Sequence, residues 1–459
     1  MESMENRGTE REESKGNKEN KAETSPALPV SSQKKSGAGH WILTAVIAVC
    51  AFGGGILANH FSLDQEMRTL LNVKKRIQES YYEEVTDDEF YRVLFDAVNG
   101  ELLDDYSGYM TAQEFAQTQV TAKGEQSGLG LVVSTQDKDG KAQMLVSRVC
   151  GNSPAESAGV REGEKIVGFG ESETALTRSE SFDDFSAFLG NYSAGEPFFV
   201  ELQNGSTSRV VEMEKADYIE SYVVYRTNDK AYGFSGANAD ELTEKGEPFS
   251  ALHVDTAYIR LTQFNGNAAN EFAKVMELFK TQNKKNLVLD LRGNGGGYMD
   301  ILQEIASYFC KSSSEKKPVI AVADYGEKKE SFQATGNYYH DYFQADSKIC
   351  VLADENTASA SECLIGCMSD YGALALENVC LFGEAENART FGKGIMQSTY
   401  SLGLFSGDAL KLTTAKICWP KSNRCIHGEG VTVQDGAKCA AKNPVQDEEI
   451  KAAISLLFA

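Results

Sequence analysis

Apolar and polar positions alternate along this chain in three distinct rhythms. From residue 63 to 118 the apolar residues recur at helical spacing, with Met67, Leu70, Leu71, Val73 and Ile77 in one stretch and Phe90, Val93, Leu94 and Val98 in the next, which predicts two or three helices. From about 120 to 215 the rhythm shortens. Segments such as GLVV, AQMLVSRV, KIVGFG, FFVEL and RVVEME stand between Gly, Asp and Asn turns, the pattern of a small β-rich domain. Between 251 and 445 strand-like runs (NLVLDLRG, PVIAVADYG, KICVLAD) alternate with helical ones (NEFAKVMELFKTQ, MDILQEIASYFC, ASECLIGCMSDYG). Such alternation predicts an α/β core, and DEEIKAAISLLFA reads as a closing helix.

Two amino-terminal segments fit none of these rhythms. Residues 1–40 are rich in Glu, Lys, Ser and Asn and too poor in large apolar residues to build a core, so they read as a disordered tail. Trp41 to Ala58 form an uncharged apolar run of 18 residues, enough to cross roughly 27 to 30 Å of hydrocarbon as one helix. Lys34 and Lys35 precede it and Asp64 and Glu66 follow. The basic side favours the cytoplasm. The expected arrangement is a cytoplasmic tail (1–40), a transmembrane helix (41–59), a helical region (60–118), a β-rich domain (119–217) and an α/β core (218–459). A single-pass anchor in the cell membrane would leave everything after it outside the cytoplasm. A cleaved signal peptide is the rival reading, but forty polar residues are long for a charged leader.

Composition narrows the partners. The net charge of the 459-residue chain is -22, while the first forty residues balance seven basic against seven acidic side chains. The remainder is strongly acidic, with no basic patch to override it, which argues against nucleic-acid binding. Ten cysteines are scattered without a CxxC pair, so no zinc site, and no other metal or organic cofactor, is implied. Cys418 and Cys425 flank the turn-like WPKSNR and would form a cross-strand disulfide in an oxidising compartment, or remain two thiols.

Three segments carry candidate chemistry. Ser359, in TASASE, follows an apolar strand-like run and opens a helical one, where unpaired amides and the helix dipole stabilise a developing oxyanion; the plainer role for such a serine is a helix cap. A nucleophilic serine needs a base. The five histidines sit in no catalytic context, and no GxSxG elbow is present. Lysine serves instead when burial leaves it neutral. Lys393, between glycines in FGKGIMQ, is such a candidate, with Gln397 four residues on and facing the same side of the strand expected there. The turn of NLVLDLRGNGGG brings three successive glycines, 295 to 297. It is suited to presenting an amide, that of Gly296, as an oxyanion donor beside the amide of Ala360. Asp290 and Arg292 read as a structural ion pair.

DLRGNGGG, TASASE and FGKGxxQ, in this order, resemble the carboxyl-terminal processing peptidases, also called tail-specific proteases. The resemblance extends over roughly 64 to 459 through LLDDYSGYMTAQEF, AYIRLTQF and TAKICWPKSNRCIHGEG. It implies a serine endopeptidase with Ser359 as nucleophile (Ser361 being the local rival), Lys393 as general base, Gln397 as its orienting partner, and Gly296 and Ala360 as oxyanion donors. It also implies a PDZ domain in the β-rich segment, with SGLGL as the carboxylate-binding loop. There the amides of Gly128, Leu129, Gly130 and Leu131 would capture the terminal carboxylate of a protein substrate with an apolar tail, unless that domain acts only as a lid. The implied fold is thus an α/β protease core with an inserted or preceding β-rich PDZ domain, a helical amino-terminal region and one transmembrane helix. A surplus apolar helix face would serve a homodimer. The sequence departs from the family pattern at Gly295, where proline is usual, and at LDDYS, which lacks a proline after its acidic pair. A catalytically silent or gated, PDZ-centred scaffold or regulatory protein is the competing function.

Overall fold

The computed structural model describes residues 63–459 apart from 139–140, 180, 315, 384–386, 404–405, 442–446 and 459. The expected disordered tail (1–40) and transmembrane helix (41–59) lie outside the described residues. No helix among the described residues is long and apolar enough to cross a membrane. The chain divides at Tyr91 into two units.

In the first unit, helix Gln65–Ser80 begins at Asp64, whose carboxylate accepts a hydrogen bond from the Met67 amide at 2.8 Å. This satisfies one of the donors that every helix leaves open at its start. A second helix, Asp87–Ala97, crosses the boundary and continues into a π-helical turn over Val98–Leu102. Helix Ala112–Ala122 completes the helical segment, opened by a capping box between Thr111 and Glu114.

The β-rich segment folds into a six-stranded antiparallel sheet. Its main order is Leu131–Lys138, Lys141–Val149, Lys165–Ser172, Phe198–Asn204 and Thr207–Met213, with Ala175–Thr177 beside Lys165–Ser172. Met144, Val146, Ile166, Phe169, Phe198, Val200 and Leu202 bury one face of it with Phe185 of helix Phe182–Gly190. Alternation produces this core, because successive strand residues point to opposite faces.

The carboxyl-terminal part is built on an eight-stranded mixed sheet. Three antiparallel pairings link Glu241–Glu244, Ala231–Ser235, Val223–Arg226 and Thr256–Leu261. Four parallel ones then continue through Asn286–Asp290, Ile349–Asp354, Val379–Gly383 and Lys438–Ala441. Both faces are covered, so the parallel strands are apolar throughout. Leu287, Leu289, Val351 and Ala353 pack towards helices Ala268–Thr281, Met299–Ala306 and Ala360–Asp370. Val288, Cys350, Leu352 and Cys380 pack on the opposite side with Ile450, Ala453 and Ile454 of the closing helix Asp447–Phe458. A second sheet of five strands has Ala409–Cys418 as its long member. Ile395–Ser401 lies along it, and Gly108–Met110 and Val319–Asp324 pair with its two ends.

Candidate active site

Parallel strands release their loops at one edge, and crevices for ligands form there. Two adjacent strands, Asn286–Asp290 and Ile349–Asp354, open onto the loops that carry Gly296 and Ser359. The first loop is anchored by the buried Asp290, which accepts from the Arg292 amide (3.0 Å) and from its guanidinium (2.9 and 2.6 Å). Tyr258 donates to the same carboxylate at 2.5 Å. Burial works to raise Asp290, but the Arg292 charge holds the carboxyl below its usual range. Asp290 and Arg292 thus form the structural pair expected of them.

Asn294 ties the loops together. Wholly buried, it donates from its side chain to the Leu261 carbonyl (2.8 Å) and accepts from the Gly296 amide at Oδ1 (2.9 Å). Its carbonyl accepts from the Ala358 amide (2.9 Å) and the Ser361 hydroxyl (3.0 Å). Gly296 therefore lies against Ser359: a Cβ added to it would stand 2.7 Å from the Ser359 Cβ and 2.9 Å from the Ala360 nitrogen. With φ +100° as well, the position requires glycine. The Gly296 amide, an oxyanion donor in the sequence reading, is engaged by Asn294 in this structure. The Ala360 amide has no hydrogen-bond partner among the described residues.

Ser359 itself stands at φ +57°, ψ -115°, a backbone state that costs a non-glycine residue about 1 to 3 kcal/mol and persists only where surroundings enforce it. The enforcement comes from Glu362, three residues on. Its Oε2 accepts from the Ser359 amide and from the Lys393 amide, each at 2.9 Å. Its Oε1 accepts from the Gly392 amide at 2.8 Å and the Thr390 hydroxyl at 2.5 Å. One fully buried carboxylate thereby brings the serine and the lysine segments within two hydrogen-bond lengths of each other. Burial pushes this carboxyl above its usual range, against the pull of its four donors. Ser359 and Glu362 stand in the capping-box relation at the start of this helix, with the Ser359 amide donating to Glu362. Ser361, the rival, is buried with its hydroxyl committed to Asn294.

Lys393 is half-buried just ahead of strand Ile395–Ser401. Burial of the amine, and then the nearby Lys411 charge, push it below the usual lysine range, against a smaller opposing effect of Asp104. Its ammonium lies 4.6 Å from the centre of the Tyr106 ring. Gln397 was expected on the same side of a regular strand. A register shift falls between Met396 and Gln397, and the Gln397 side-chain NH2 donates to the Thr413 hydroxyl at 3.5 Å.

At the other sequence-derived site, Gly128 (φ +131°) and Gly130 (φ +76°) flank the buried Leu129 and lead into strand Leu131–Lys138. A Cβ on Gly130 would stand 2.2 Å from that of Ser153. The amides of Leu129 and Gly130 donate to no described residue. Cys418 and Cys425 face each other across an antiparallel bridge as free thiols. A pair the sequence reading missed, Cys310 and Cys367, brings its buried sulfurs within 3.2 Å.

Residues 255–434 match the model of peptidase family S41. A probable CtpA-like serine protease of Staphylococcus saprophyticus is 25% identical over 85% of this chain and 70% of its own length. The corresponding protein of Staphylococcus haemolyticus is 24% identical, and there this chain spans 64% of its relative. Among solved structures, the photosystem II D1 C-terminal processing protease aligns over 81% of this chain and 92% of its own, at 22% identity and a TM-score of 0.43.

Proposed function

Since this chain is a serine-type peptidase that belongs to peptidase family S41, we propose that it is a carboxyl-terminal processing endopeptidase working through a Ser359–Lys393 dyad. The observation that carries the reading is the convergence of the Ser359 and Lys393 amides on one oxygen of Glu362. Neutral Lys393 takes the Ser359 proton as the hydroxyl attacks the peptide carbonyl, then returns it to the leaving amine; a water activated by the same amine releases the acyl group. Lowering of the lysine by burial supports this role, because an ammonium cannot accept a proton.

The Ala360 amide, free at a helix start, is the first oxyanion donor. Gly296 is the second, once its amide exchanges Asn294 Oδ1 for the oxyanion. Gln397 orients Lys393 when substrate closes the site. The segment 119–217 acts as a PDZ domain whose Gly128–Leu131 loop receives the terminal carboxylate of an apolar tail, a role supported by the uncommitted amides of Leu129 and Gly130. Residues 41–59 anchor the protein in the cell membrane, with the catalytic part outside the cytoplasm. The dyad calls for no metal or organic cofactor.

The test is cleavage of an unstructured protein with an apolar carboxyl terminus by the full-length chain in detergent. Ser359→Ala and Lys393→Ala are each expected to abolish cleavage with folding intact, and amidating the substrate carboxyl terminus to weaken it. Cleavage by folded Ser359→Ala at the wild-type rate would remove the assignment.

A further inference from the structure

The chemistry proposed above gives no task to residues 104–107, yet they lie against its lysine. The Tyr106 ring faces the Lys393 ammonium at 4.6 Å, and Tyr106 is half-buried there. The turn is locally closed, with the Tyr106 amide donating to Asp104 Oδ1 and the Ser107 amide to the Asp104 carbonyl, both at 3.1 Å. It is then fastened to the sheet that supports Lys393. Ser107 Oγ donates to Thr413 Oγ1 (3.4 Å) and accepts from the Thr413 amide (2.8 Å), and Gly108–Met110 pairs with Ala409–Lys411. Thr413 also receives the Gln397 amide from the strand that Lys393 precedes. A segment remote in sequence is therefore fastened, through Thr413 and the pairing with Ala409–Lys411, to the sheet that carries the strand Lys393 precedes.

An aromatic face attracts a cation more strongly than a neutral amine, so the contact between Tyr106 and Lys393 favours the protonated lysine. We propose that Tyr106 is a positioning residue for Lys393, its ring holding the ammonium form between turnovers and setting how readily the neutral amine is released to Ser359. The inference rests on Lys393 being the base. The other charged or titratable groups bearing on Lys393 are Asp104 in the same turn, Lys411 on the long strand and, at its backbone, Glu362.

The experiment compares Tyr106→Leu and Tyr106→Phe in the full-length chain. Leucine keeps an apolar cover over the amine but has no π face; phenylalanine keeps the face. The readouts are the pH profile of kcat/KM and the pH dependence of labelling by a fluorophosphonate, which reports the activated serine alone. The expected result is that Tyr106→Leu moves the acid limb of both profiles to lower pH by about 0.5 to 1.5 units, the size a partly desolvated cation–π contact supports, while Tyr106→Phe follows wild type. A purely structural role would lower activity at every pH without moving the limb. If Tyr106→Leu does not fold, Tyr106→Met makes the same comparison. A limb that stays in place or moves up, in a background where Lys393→Ala is inactive, overturns this inference and leaves the dyad standing. Wild-type activity in Lys393→Ala removes the dyad, and the inference with it.

Discussion

Replacing Glu362 tests whether one buried carboxylate holds the two catalytic segments together. Four donors converge on it: the Ser359 and Lys393 amides on Oε2, and the Gly392 amide and Thr390 hydroxyl on Oε1. Hydrogen bonds to a charged acceptor contribute about 1.5 to 3 kcal/mol each. Glutamine has the same shape but one acceptor oxygen, so its NH2 must face one pair of donors. The Thr390 side is the less costly choice, because a hydroxyl can reverse and accept. Glu362→Gln is then expected to lose the Gly392 bond and weaken the rest, costing roughly 2 to 3 kcal/mol, while Ser359 and Lys393 keep an oxygen. Alanine removes all four bonds and releases Ser359 from a backbone state that costs about 1 to 3 kcal/mol to maintain.

The assays are urea unfolding for stability and fluorophosphonate labelling for the serine. Labelling is expected to fall no more than about tenfold in Glu362→Gln and at least a hundredfold in folded Glu362→Ala, since about 1.4 kcal/mol corresponds to each factor of ten. Wild-type labelling in folded Glu362→Ala, or a cost below about 1 kcal/mol in Glu362→Gln, would refute the reasoning.

Two further outcomes follow from buried groups. Glu271 accepts the Tyr222 and Val223 amides at Oε2 (2.7 and 2.9 Å), while its Oε1 is buried without a partner, and burial pushes the carboxyl up to about 8. Because the folded state then binds the proton more tightly than the unfolded one, the stability tied to this group is full below the unfolded carboxylate range and is lost as pH rises towards 8. Urea unfolding at several pH values should show Glu271→Gln flattening that decline, and an unchanged slope would contradict it. Ser361→Ala should cost about 1 kcal/mol through the bond to Asn294 and leave fluorophosphonate labelling intact, whereas loss of labelling in a folded variant would return Ser361 to consideration as nucleophile.

The sequence by itself determined the elements and the reactive residue types. Continuous apolar runs in NLVLD and KICVLAD specify strands buried on both faces, and a serine opening an apolar helical run specifies a reactive group at a helix start, because both signals are local. The glycine at 296 was legible for the same reason. Glu362 left a local trace, since it stands three residues after the capping serine as in an ordinary capping box. What sequence spacing could not convey is that the same carboxylate also receives Thr390, Gly392 and Lys393.

Tertiary structure alone decided the rest. It engaged the Gly296 amide with Asn294, buried the Ser361 hydroxyl, turned Gln397 towards Thr413 through a register shift, and set Tyr106 against Lys393. Each of these depends on which strands lie side by side, or on how a loop closes on its own backbone. Neither follows from periodicity, which reports which face of an element is apolar and not which polar groups a loop or a neighbouring strand will meet.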